Sequence, residues 1–420
     1  MAEPTSVGAE LELTVGAVAH GGHCVAREGN APGGRVVFVR HALPGERVRA
    51  VVTEDAGGSF SRADAVEVLV ASPDRVAARC IHAGPSRCGG CDWQHVSPSG
   101  QRALKATVVA EQFARLAGLE LSITVDELPG GLLGWRTRTL YSADQDGRLG
   151  LRRHRSHVVE RIGHCPLGAP GVGDSTVLTG TWPDCTGVEV VRGDDRAAAV
   201  LAHTAGRSPL RPRARRSPDR VAVVDGPPRL HHRVGGRKFE VDAAEFWQVH
   251  PAAAATFAAA LLNGLRPRPA ERVMDLYAGA GLFTALLGME VGAAGQVLGV
   301  ESSAQAVSDA RGNLADLPWT SVRRAMISAE LIPTLRIVPD LIVLDPPRSG
   351  AGRALMAALV ATSARAIGYV ACDPASLARD VRVALDAGWR LASLRAFDAF
   401  PMTHHVECVA VLVPADTPAT

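Results

Sequence analysis

The sequence predicts an α/β protein. A C-terminal open, largely parallel sheet covered by helices is preceded by a small OB-like β-barrel and by a central, mainly-β domain carrying a cysteine cluster. Three observations carry this. From about residue 245 apolar runs alternate with helical stretches, the pattern of a parallel sheet. Residues 7–70 hold short alternating runs between Gly/Pro-rich turns, the pattern of a small barrel. Between them, cysteines gather in residues 80–95 and strand-like alternation fills residues 120–240.

The barrel (residues 1–72) is expected from the runs Leu11–Val18, Arg35–Arg40, Glu46–Thr53 and Ala65–Ala71. Barrels of this size bind RNA or serve structure, and the pattern alone does not choose. The central domain (73–240) opens with the cysteine loop. A helix over 98–117 follows, with Leu104, Val108, Phe113 and Leu116 on or near one face. Basic clusters come next: Arg136 and Arg138, then Arg148, Arg152, Arg153 and Arg155. Six arginines between Arg207 and Arg220, mixed with Pro and Ser, read as an exposed loop, either an RNA contact or a solvated linker. In the last domain (241–420) strands are expected at Val273–Tyr277, Val297–Glu301, Leu341–Leu344, Ala366–Ala371, Leu391–Phe397 and Val406–Val413. Ligands of such sheets sit at the carboxyl ends of the strands.

Composition narrows the class. The chain has 420 residues, 47% of them hydrophobic, without an apolar run near the 18 or so residues of a membrane span. Met-Ala-Glu-Pro-Thr-Ser lacks the features of a signal peptide. A soluble, cytoplasmic monomer without a membrane partner is expected, its eight cysteines ligands or nucleophiles rather than disulfides. Residues 1–240 carry 31 Lys and Arg against 26 Asp and Glu; the remainder carries 14 against 17. The basic half suits a polyanion and the acidic half a catalytic module.

The chemistry concentrates at strand ends. Cys372 closes the run Ile367-Gly-Tyr-Val-Ala-Cys, and Asp373-Pro374 opens a helix. A thiol there is either a small core residue or a nucleophile whose thiolate the helix dipole favours. Asp275-Leu-Tyr-Ala-Gly-Ala-Gly follows the first strand of the sheet, and Gly279 and Gly281 let backbone approach a ligand. Glu301, ending the second strand, is placed to accept ribose hydroxyls. That loop suits NAD, nucleotides or S-adenosylmethionine. The lack of Gly-x-Gly-x-x-Gly and of Gly-Lys-Ser/Thr argues against a dinucleotide and a P-loop. Asp345-Pro-Pro-Arg ends a third strand; its prolines fix the loop, and Arg348 stands where amino-group methylases carry a base-stacking aromatic.

These segments, with Glu245-Phe-Trp-Gln-Val-His, Cys372-Asp-Pro-Ala-Ser-Leu-Ala-Arg-Asp and Phe400-Pro-Met-Thr-His-His-Val-Glu, resemble the S-adenosylmethionine-dependent RNA 5-methyluridine methyltransferases. The barrel looks like a TRAM RNA-binding domain and the cysteine loop like the family's iron–sulfur insertion. The resemblance implies a Rossmann-like class I methyltransferase sheet, cofactor contacts from Gln248, Tyr277, Gly279, Gly281, Glu301 and Asp345, Cys372 as nucleophile and Glu407 as general base. Leu282 departs from the family, which often carries Asn there. Cys80, Cys88, Cys91 and Cys165 offer four sulfur ligands; spacing leaves zinc and an iron–sulfur cluster comparable, and the resemblance favours [4Fe–4S]. Cys24, Cys185 and Cys408 are read as ordinary residues. Family analogy points to ribosomal RNA, 23S rRNA in particular. Alternatives are a tRNA uridine C5-methyltransferase, methylation of a base nitrogen or ribose, and a non-catalytic RNA-binding protein of the same fold.

Overall fold

Eight strands build the C-terminal sheet, in the spatial order Thr320–Arg324, Gln296–Glu301, Arg272–Leu276, Leu341–Leu344, Ala366–Ala371, Glu407–Pro414, Trp389–Asp398 and Val125–Glu127. The structure is a computed structural model that describes residues 6–31, 33–206 and 217–417. Pairing is parallel throughout except along Glu407–Pro414, which runs antiparallel to both neighbours. Leu341–Leu344 and Ala366–Ala371 are buried at every position, as strands covered on both faces must be. Helices Ala253–Leu265, Leu282–Val291 and Ala304–Asn313 pack one face. Arg353–Val360, Pro374–Asp386 and Pro98–Gln112 pack the other.

Both edge strands escaped the sequence reading. Thr320–Arg324 buries only Val322, so its apolar pattern is too thin to read. Val125–Glu127 comes from the region assigned to the central domain, yet it pairs with Ala396–Asp398. Val109, Phe113, Ala117 and Val125 share a core with Tyr369 and Leu377. Packing therefore crosses the boundary expected at residue 240. The helix expected over 98–117 is α-helical over Pro98–Gln112, with Ser97 capping it through Gly100 N, and closes in a π turn over Phe113–Ala117.

The N-terminal sheet orders its strands Glu10–Thr14, Arg47–Glu54, Phe60–Val70, Val36–Arg40 and Cys24–Arg27. Hydrogen bonds Gly16 N to Val25 O (2.7 Å) and Val25 N to Ala17 O (2.8 Å) draw its two ends together as a barrel. The short strand Cys24–Arg27 was not foreseen, having only four residues behind the turn at Gly21-Gly22. The central sheet is six-stranded and antiparallel, in the order Ser217–Asp225, Ala198–Gly206, Cys185–Arg192, Arg138–Ala143, Leu149–Arg152 and Val159–Arg161. The arginines from Arg207 to Arg216 lie outside the described residues; Arg220 is exposed. Arg138, grouped by sequence with the basic clusters, is occupied internally: it pairs with Glu189 (2.7 Å) and donates to the carbonyls of Ala243 and Glu245. Among the described residues no helix is long and apolar enough to cross a membrane.

Candidate active site

Two loops at the carboxyl ends of neighbouring strands make one wall of the crevice. Tyr277 leaves the first strand at φ 65°, a left-handed conformation that costs a tyrosine strain and turns the chain into Gly279 and Gly281. A Cβ on Gly279 would meet nothing within 4 Å, so the backbone there faces open space, whereas one on Gly281 would press on Ala310 at 3.2 Å. Glu301 braces the loop: Oε2 accepts from Gly279 N (3.0 Å) and Oε1 from the backbone N of Ser302 (2.6 Å) and Ser303 (2.8 Å). The Ser303 hydroxyl donates to Glu245 (2.9 Å), bringing the Gln248 segment alongside.

Asp275 lies one residue before the end of its strand and Asp345 just after the end of the neighbouring one, the strands pairing in register with Leu276 opposite Leu344. Burial pushes Asp275 up to about 7 even though it accepts from Thr284 Oγ1 (2.6 Å), and its Oδ1 has no partner. Burial pushes Asp345 up to about 7 as well, with the Asp275 charge adding to the rise. Two carboxyls poised near neutrality and one orphaned oxygen suit a ligand that supplies donors and positive charge. The sequence reading had Asp345 among the contacts but passed over Asp275 as the start of the loop; an acid inside an otherwise apolar strand was its visible signal.

On the other side, Ala371 pairs with Cys408 across antiparallel strands. The next residue on each side of that pair is Cys372 and Glu407, so the two meet although they lie far apart in sequence. Asp373 caps the following helix, accepting from Ser376 N (2.8 Å), with Pro374 at its first position. The helix was expected to favour the Cys372 thiolate. Instead the thiol is pushed up to about 12 by burial and by the charge of Glu407, with Asp345 and Asp373 adding and Arg348 opposing. A dipole worth ~0.3–1 kcal/mol does not offset burial beside three carboxyls. Glu407, 5% exposed, is raised well above the carboxylate range by burial and Asp345, again against Arg348.

The loops are held from a distance. Asp380, on the Cys372 helix, accepts from Tyr369 Oη (2.7 Å), Ala351 N (2.7 Å) and Gly352 N (3.1 Å), fixing the Asp345–Gly352 loop. Gly350 sits at φ 84°, where a Cβ would lie 2.6 Å from Asp380 Oδ2. The loop leading to Glu407 is clasped by the Pro98–Gln112 helix. Lys105 Nζ donates to Asp398 Oδ1 (2.5 Å) and Phe400 O (3.1 Å), and Gln101 Oε1 accepts from Met402 N (2.7 Å). His404 Nδ1 meets Asp92 Oδ2 at 2.6 Å, while His405 packs edge-on against Phe400. From the barrel, His20 Nε2 reaches Asp373 Oδ2 at 2.8 Å, so the N-terminal domain touches the residue after Cys372.

Cys80, Cys88, Cys91 and Cys165 line one small cavity of about 20 Å³, with Arg136 at its edge. All four are free thiols. Cys88 Sγ accepts from Gly90 N and Cys91 Sγ from Gln94 Nε2, each at 3.4 Å. Among the described residues no group of three or more His, Cys, Asp or Glu could hold a single metal ion. Cys24 and Cys408 are buried core residues, and Cys185 starts a strand of the central sheet.

The sheet order, with one reversed strand set between Ala366–Ala371 and Trp389–Asp398 and loops at the strand ends, defines a class I methyltransferase-type enzyme. A solved structure, the Pyrococcus abyssi tRNA (uracil-54, C5)-methyltransferase in complex with S-adenosyl-L-homocysteine, shares the fold with a TM-score of 0.68 at 20% identity, over 96% of this chain and all of that one. Residues 4–66 match the TRAM domain, residues 335–414 the tRNA (uracil-5-)-methyltransferase family, and residues 244–331 the protein-L-isoaspartate O-methyltransferase family. An RNA methyltransferase of Streptomyces avermitilis is 47% identical over 97% of this chain and 99% of its own. A 23S rRNA (uracil(1939)-C(5))-methyltransferase of Alkalilimnicola ehrlichii is 32% identical over 96% of each. The chain belongs to the RNA uracil-5-methyltransferase family.

Proposed function

We propose that this enzyme methylates C5 of a uridine in 23S rRNA through a covalent adduct between Cys372 and C6 of the uracil. The observation that carries the mechanism is the convergence of Cys372 and Glu407 on adjoining strand ends beside the Asp345 loop. S-adenosylmethionine, when bound, supplies an electrophilic methyl group next to a positively charged sulfur. The groups that would hold it are those whose chemistry fits: Asp275 with its orphaned oxygen, Asp345, Glu301, Gln248, Tyr277 and the open backbone at Gly279 and Gly281.

Uracil C5 is too weak a carbon nucleophile unaided. Cys372 Sγ gives its proton to solvent water and adds to C6, and the C5=C6 electron pair becomes available at C5 to take the methyl group. C5 then carries both the methyl and its original proton. Glu407 removes that proton, the C5=C6 bond re-forms, and the sulfur leaves as thiolate. Burial raises both groups in the free protein, so RNA and cofactor binding would have to lower them for the reaction. Arg348 already pulls both in that direction.

The fit to ribosomal RNA rests on the likeness to the Alkalilimnicola enzyme along the whole chain. A strain lacking this protein is expected to lose a 5-methyluridine from 23S rRNA, mapped by mass spectrometry of nuclease fragments. Loss from tRNA with 23S rRNA unchanged would assign the tRNA reading instead.

For the four cysteines the donor set suits an all-sulfur centre around a shared cavity, and the resemblance of the cysteine loop to the family's iron–sulfur insertion favours a [4Fe–4S] cluster over zinc. Cys80, Cys88, Cys91 and Cys165 would hold it, securing the loop whose Asp92 meets His404. Anaerobically purified protein is expected to be brown and to contain iron; a colourless sample with zinc and no iron would overturn the assignment.

A further inference from the structure

The barrel, the cysteine loop and the central hairpin meet around a cavity of about 370 Å³ that the reaction at Cys372 leaves unused. Its volume falls in the range of small-molecule sites. Five arginines line it: Arg40 and Arg62 from the barrel, Arg87 from the cysteine loop, and Arg153 and Arg155 from the hairpin. Two carboxyls face them, Glu54 and Asp64. Glu54 lies 3.3 Å from Arg62 and 3.7 Å from Arg155, and Arg153 also pairs with Glu160 (2.9 Å), so the lining keeps an excess of positive charge.

Several donors of this lining are buried and unanswered. Arg40 is 8% exposed, its Nη2 makes no hydrogen bond, and its ion pair with Asp92 spans 3.8 Å. His23 is 9% exposed and its Nε2 has no partner; His154 Nε2 has none either. Burial, with the charges of Arg40 and Arg62 adding, holds His23 down at about 4. A buried guanidinium nitrogen without a hydrogen-bond acceptor is costly, and phosphate oxygens are the acceptors the fork fits best. Beside the cavity, the Arg62 guanidinium lies over the rings of Phe60 (5.1 Å) and Phe38 (5.6 Å), and Phe60 is 39% exposed. A basic groove next to an exposed aromatic is how single-stranded nucleic acid is held. The site is wired to the active centre, since Arg40 pairs with Asp92 and Asp92 holds His404, three residues before Glu407.

We propose that this junction is a second nucleotide subsite: it takes a phosphodiester of the RNA strand flanking the target uridine, with the neighbouring base against Phe60. The inference rests on the chain acting on RNA, and it places part of the grip on the strand between the barrel and the hairpin rather than on the barrel alone.

The test is equilibrium binding of a fluorescent oligouridylate over a range of salt. Arg62→Gln/Arg155→Gln is expected to weaken binding about tenfold at low salt and to make the plot of log K against log salt shallower by about 0.7, the value of one lost single-strand phosphate contact. The control Arg115→Gln/Arg382→Gln removes the same charge from the helical layer and should leave both quantities as in wild type. Wild-type affinity and slope in the first variant, or an equal loss in the control, would overturn the proposal. So would inorganic phosphate binding as tightly as the oligonucleotide, which would assign the pocket to a small anion. Binding is read without turnover, so a protein that used this pocket but never methylated uridine would count against the proposed function and not against the subsite.

Discussion

Replacing Cys372 by alanine is expected to lower methylation by about 10⁴-fold or more, because the variant loses the covalent route and no other thiol can take its place at C6. Cofactor binding, measured by calorimetry, should survive, since the walls at Asp275, Asp345 and Gly279 are untouched. Glu407→Gln should fail differently. Its sulfur can still add and the methyl group can still transfer, but the C5 proton has no acceptor. The variant is then expected to accumulate a protein–RNA adduct that persists through denaturing electrophoresis. The two variants divide the mechanism: one never forms the adduct and the other never releases it. Near-normal methylation by Cys372→Ala, or no adduct with Glu407→Gln despite intact RNA binding, would remove the covalent scheme. A pH-rate profile adds a sign. Burial and carboxyl charge push the Cys372 thiol up in the free protein, so kcat/KM, which reports the free enzyme, should rise with pH through the neutral range.

The second large effect lies outside the chemistry. Lys105 is fully buried and Asp398 is 1% exposed, and their 2.5 Å contact ties the helix after the cysteine loop to the strand before Phe400. Burial lowers the Lys105 pKa while Asp398 raises it, so the charged lysine depends on its partner. Lys105→Met leaves a carboxylate buried and unpaired, which costs about 3–5 kcal/mol. Urea denaturation should show that loss, together with reduced kcat as the Phe400–His405 loop comes free. Lys105→Met/Asp398→Leu removes both charges and should recover most of the stability. A single variant as stable as wild type would show that the pair contributes little.

Much of this was legible in the chain. The inner strands of the C-terminal sheet, Leu341–Leu344 and Ala366–Ala371, announce themselves because, covered on both faces, they are apolar at almost every position. The loops at their ends announce themselves because Gly, Asp and Pro are required where backbone turns toward a ligand. Thr320–Arg324 and Val125–Glu127 were not legible, since an edge strand covered on one side needs few apolar residues and a three-residue strand has no period to detect. Arg138 misled for a related reason: composition counts an arginine's charge but not the carboxylate and carbonyls that absorb it.

The sequence by itself determined the fold class, the order of its parts, and the residue types at the candidate site, Cys372, Glu407, Asp345 and the glycine loop among them. These follow from local rules of periodicity, turn chemistry and functional-group reactivity. Only the tertiary structure decided their electrostatics and their partners. It turned the expected easy thiolate into a thiol held at about 12, by burying Cys372 beside Glu407, Asp345 and Asp373. It set His20 of the barrel against Asp373 and joined Lys105 to Asp398 across 293 residues. Charge acts through space, and the distances that govern it are fixed by packing rather than by position along the chain.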